Sequence, residues 1–83
     1  MMKRVQNMRN DGVIVNGWDG ITHDEMHNVV MGFRISPRLM QFMYNRFDNM
    51  LTITETTRFQ LQDTKHYMDI DWEEAKQILE GWI

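Results

Sequence analysis

His23 and His27 stand four residues apart, a spacing at which a helix would present both imidazoles on one face as metal ligands. The metalloprotease form of that pattern needs a glutamate directly after the first histidine. Asp24 holds that place here, and the only other histidine, His66, lies far along the chain. With no third ligand in view, the expectation is no metal and no cofactor. The densest acidic cluster is Asp69, Asp71, Glu73 and Glu74. Paired carboxylates suit magnesium or calcium, but the glycine that a calcium loop requires is missing. Asp71 and Glu74 read better as the start of a helix, whose dipole favours acids at its N-terminus. The one serine, Ser36, is taken up as a second helix cap, and the chain has no glycine-rich phosphate loop and no cysteine. That excludes a thiolate nucleophile, a thiolate metal site and a disulfide scaffold. No catalytic residue is assigned, and the chain is expected to be non-enzymatic.

These residues must be positioned by elements legible in the pattern. Residues 1–10 are polar, an arm or a frayed helix, and residues 11–83 form one domain. Val13-Ile14-Val15 is a short β-branched run closed by the turn dipeptide Asn16-Gly17, with Trp18 and Ile21 as its return strand or packed beneath the turn. Thr22-His23-Asp24-Glu25 has the form of a capping box, and Met26, Val29, Val30 and Phe33 follow at helical spacing, predicting a helix over 23–33. Ser36-Pro37 reads as an N-cap followed by proline at the first helical position. The second helix, over 37–47, carries Leu39, Phe42, Met43 and Phe47 as its stripe, widened by Met40 and Tyr44 until it is apolar around most of its circumference.

From Leu51 to Gln62 the period changes to two, with polar residues at every even position and Leu51, Ile53, Phe59 and Leu61 among the odd ones. This is a half-buried antiparallel pattern with a bend at 55–58. Asp63-Thr64-Lys65 reads as a turn, and residues 66–70 alternate again with His66, Met68 and Ile70 on one face. Asp71 then caps a last helix, with Glu74 completing the box and Trp72, Ala75, Ile78, Leu79 and Trp82 as its apolar stripe. The expected order is β-α-α-β-β-β-α, a small α+β domain with its C-terminal helix packed on a small antiparallel sheet.

Residues 29–47 resemble a helix-turn-helix. Ile35-Ser36-Pro37-Arg38 matches the approach to its second helix, and Met40 and Met43 fall at its packing positions. Val30 and Arg34 depart from the pattern, standing where a small residue and the turn glycine are usual. The resemblance implies a winged arrangement that sets Arg34, Arg38, Arg46, Arg58 and Lys65 against phosphates.

The bulk numbers weigh against nucleic acid. The chain has 83 residues, 42% hydrophobic and 25% charged, and a formal charge of −3. Residues 1–10 are basic, 11–25 acidic, 26–62 mildly basic and 63–83 acidic. Such asymmetry speaks to partners rather than to fold. Nine methionines fill a small irregular core or supply an adaptable contact surface. No signal peptide is recognisable and no apolar run reaches the roughly 20 residues of a membrane span, so a cytoplasmic chain without membrane contact is expected. The leading reading is a protein-binding module, a small regulator or inhibitor of the kind that short phage or mobile-element chains supply, docking on a larger protein. Its candidate contacts are Arg38, Tyr44, Arg46, Asp69 and Glu73. The DNA-binding regulator is the alternative, and a homodimer built on the surplus apolar face of the second helix is a third reading.

Overall fold

Burial alternates residue by residue over 29–34, 39–45 and 50–54. The computed structural model describes residues 13–57 and 62–82. Five strands follow one another: β1 (Gly20–His23), β2 (Val29–Arg34), β3 (Leu39–Asn45), β4 (Met50–Thr56) and β5 (Gln62–Met68). A single helix, α1 (Trp72–Gly81), closes the order among the described residues. The strands form one antiparallel meander in chain order, with β1 and β5 at its edges. The α+β class and the C-terminal helix on an antiparallel sheet are present, whereas the two central helices are not.

The segments expected as helices over 23–33 and 37–47 are β2 and β3 with their turns. Val30 and Gly32 point into the core, as do Met40, Phe42 and Tyr44. Their neighbours Met31, Phe33 and Met43 point outward and are also apolar. Apolar residues on both sides of a strand erase the alternation that marks it and imitate a wide helical stripe. Gly32 disfavours helix, and the β-branched and aromatic residues around it favour the extended form. Both helix starts therefore become hairpin features. Thr22 lies within β1, and Asp24 accepts from the backbone N–H of Asn28 (2.7 Å) in the β1–β2 turn, where His27 takes a left-handed φ of 59°. Ser36 and Pro37 lie in the β2–β3 loop, joined by a cis peptide. Without helices over 29–47, the helix-turn-helix resemblance has no structural counterpart. Asp63, Thr64 and Lys65, expected as a turn, belong to β5.

The core lies between one face of the sheet and α1. Leu51, Ile53, Val30, Phe42 and Tyr44 meet Ala75 and Leu79, with Val13, Val15 and Trp18 at the margin. Val13 and Val15 are buried while Ile14 is exposed, yet the run forms no strand. Asn16-Gly17 does make a turn, with Gly17 at φ 94°. Trp18 reaches across to donate its indole N–H to the Leu79 carbonyl (3.2 Å), and its ring meets Phe42 edge-on. Asp71 caps α1 as its spacing predicts, its carboxylate accepting from the Glu74 N–H at 2.8 Å. Phe59 and Leu61, expected in the sheet, and the arm at 1–10 lie outside the described residues.

Candidate functional site

The face of the sheet opposite α1 is covered by no described element. Cross-strand partners share a face, so the register assigns its residues. On β2 and β3 they are Met31 beside Met43 and Phe33 beside Gln41, with Leu39 at the end of the strand. On β4 and β5 they are Thr52 beside His66, Thr54 beside Thr64 and Thr56 beside Gln62. Met68 stands opposite Met50 at the corner. The face is thus divided into an apolar half on β2–β3 and a hydroxyl-rich half on β4–β5. Thr52 Oγ1 lies 3.1 Å from His66 Nδ1, and the Thr54 and Thr64 hydroxyls are 3.4 Å apart.

A quarter of the chain is charged, yet no Asp, Glu, Lys or Arg occupies a strand position on this face. Large apolar side chains are left in solvent there. Phe33 is 40% exposed, Met31 47% and Met68 67%, with Leu39 and Met43 close to 40%. A depression of about 770 Å³ runs over β1–β4, lined by Met31, Phe33, Gln41, Met43, Thr52 and Thr54 among others, with Asp19, which precedes β1, as its one charged lining residue. Gly20 contributes by having no side chain: it faces Phe33 across the β1–β2 pair, and the Phe33 ring lies over it.

The residues singled out from the sequence are scattered by the fold. Tyr44 is buried, its hydroxyl donating to the Ile70 carbonyl (3.0 Å), so it acts in the core and not as a surface anchor. Burial, and then the nearby Asp71 carboxylate, raise its pKa above the usual phenol value. Arg38, in the β2–β3 loop, forms an ion pair with Glu55, while Arg46 is exposed at the far end of β3. Arg34 donates to the Ser36 carbonyl (2.6 Å) and is half-buried. Lys65 lies on β5 with its ammonium 5.5 Å from the Trp82 ring centroid. Arg58 lies outside the described residues. Asp69 takes a left-handed φ of 60° before α1, and Glu73 pairs with Lys76 at 2.7 Å on the helix. Arg46 thus stands at the opposite end of β3 from the loop that carries Arg38.

The structure does bring His23 and His27 together, through a turn rather than a helix, with ring centroids 4.1 Å apart. His23 Nδ1 lies 2.9 Å from the Asp24 carbonyl. No group of three or more potential metal ligands occurs among the described residues. No helix among them is long and apolar enough to cross a membrane. The surplus of apolar residues over 37–47 is visible in the sequence, but the pattern assigns it to the face of a helix, whereas the structure places Leu39 and Met43 on the exposed side of a sheet and buries Met40 and Tyr44. No family model, no curated protein and no solved structure matches this chain.

Proposed function

We propose that this chain is a protein-binding module whose contact surface is the uncharged face of the sheet, and that its partner is a larger protein offering an apolar, uncharged surface of its own. The observation that carries the reading is that no Asp, Glu, Lys or Arg holds a strand position on a five-strand face that leaves Met31, Phe33, Leu39, Met43 and Met68 in solvent. Interface cores are depleted in charge and enriched in aromatic residues and methionine. An antiparallel sheet exposed only to water ordinarily alternates apolar inward with polar outward, and the outward Met31 and Phe33 of β2 and Leu39 and Met43 of β3 depart from that. Methionine suits such a surface because its unbranched thioether adapts to the shape it meets. The hydroxyls of β4 and β5 then supply hydrogen bonds without the desolvation cost of burying ions.

A photo-crosslinking amino acid placed at Met31 or Met43, and in parallel at Glu73 on α1, tests the assignment in cells that make the protein. Both sheet positions should capture one and the same partner, and Glu73 should not. Purified partner should then bind the unmodified chain. Capture of that partner only from the helix side would overturn the reading.

A further inference from the structure

We infer that a second copy of this chain docks on the β5 edge, strand to strand and antiparallel, making one continuous ten-stranded sheet. β5 is a seven-residue edge strand, and no described segment pairs with its outer side. An edge of this length presents a row of backbone donors and acceptors ready for another strand. The side chains choose which strand. Asp63 and Lys65 lie two apart on the α1 side of β5. Two copies related by a two-fold axis at Thr64 place Asp63 opposite Lys65 of the second copy, and Lys65 opposite Asp63, so both charges are matched at once. Centring the pair one residue-pair either way, on Asp63 or on Lys65, sets like charges face to face. Directly opposed side chains sit about 4.5–5.5 Å apart between Cβ atoms, where unlike charges attract and like charges destabilise. Trp82 holds the Lys65 ammonium over that side of the sheet, where Asp63 of the second copy would stand. On the other side Thr64 meets Thr64, extending the Thr54–Thr64 contact across the junction. This pairing is independent of the partner proposed above and leaves the uncharged face uncovered, doubling its width.

The test is the molecular mass in solution, by sedimentation across the micromolar to millimolar range, with charge reversal. The unmodified chain should form a dimer. Asp63→Lys and Lys65→Asp should each weaken it at least ten-fold, because each creates like-charge pairs. The double exchange, Asp63→Lys with Lys65→Asp, should restore the dimer, and a mixture of the two single variants should form a heterodimer. Because the chain has no cysteine, Thr64→Cys provides a second readout: it should oxidise readily to a covalent dimer, and Met68→Cys should not. A chain that stays monomeric throughout would overturn the inference. So would single reversals that dimerise as well as the unmodified chain, or equal crosslinking at positions 64 and 68.

Discussion

A methyl group at Gly32 would stand 2.3 Å from the Phe42 ring and 3.0 Å from the Gly20 carbonyl. Phe42 is buried and the carbonyl is backbone, so neither has room to yield. Gly32→Ala should therefore cost about 1–3 kcal/mol, the range for overpacking a filled site. A methyl at Gly20 meets the Phe33 ring at the same 2.3 Å, but that ring is 40% exposed and can swing outward. Urea unfolding of the two variants should show the larger loss at Gly32; an equal or reversed order would mean that Phe33 is as tightly held as Phe42. Tyr44 gives a pH signature. Burial, chiefly, raises its pKa, so the folded state favours the neutral phenol. That contribution is intact below the unfolded value of about 10 and is lost as pH rises through and beyond it. Alkaline titration of the melting temperature should show a steeper decline for the unmodified chain than for Tyr44→Phe, which has no proton to lose. Parallel curves would show that Tyr44 ionises without opposing the fold. None of these relations was legible from residue types alone, because each depends on which strands are neighbours.

The elements differ in how openly the sequence declares them. α1 is announced twice, by the Asp71–Glu74 spacing and by Ala75 and Leu79 at helical spacing; the Asp71 cap forms and both apolar residues are buried. β4 is announced by alternation, since Leu51 and Ile53 are buried while Thr52, Thr54 and Thr56 point outward. β2 and β3 are concealed because Met31, Phe33, Leu39 and Met43 point outward beside the buried Val30, Met40, Phe42 and Tyr44. The Thr22–Glu25 box is a chance match inside a strand and a turn. A pair of substitutions separates the true cap from the false one. Asp71→Ala should lose about 1 kcal/mol with the N-cap hydrogen bond. Thr22→Ala, at an exposed position on an edge strand, should stay within about 0.5 kcal/mol. Comparable losses at both sites, by chemical denaturation, would restore a helix after Thr22. Leu79→Ala should cost about 2–5 kcal/mol, since Leu79 is fully buried against the sheet.

For the molecule as a whole, the feature that misled the sequence reading is the one that carries the functional reading. Residues 29–43 look like helix because apolar residues lie on both sides of their strands: one side packs toward α1, and the other is the surface proposed above for a partner. The general expectation of a protein-binding module stands as the proposal, but its location moves from arginines and a tyrosine on a second helix to methionines, Phe33 and threonines on a sheet. An uncharged surface also has a distinctive dependence on ionic strength. Salt screens exposed charges strongly and apolar contacts hardly at all, whereas contacts to phosphates weaken steeply as counterions are released. The most direct test is a calorimetric titration of the purified crosslinked partner onto the unmodified chain and onto Phe33→Asp, each at low and at moderate salt. The account predicts a negative heat-capacity change, an affinity that hardly varies with salt, and at least ten-fold weaker binding by a still-folded Phe33→Asp chain. Undiminished binding by that variant, or an affinity that collapses as salt is raised, would contradict it.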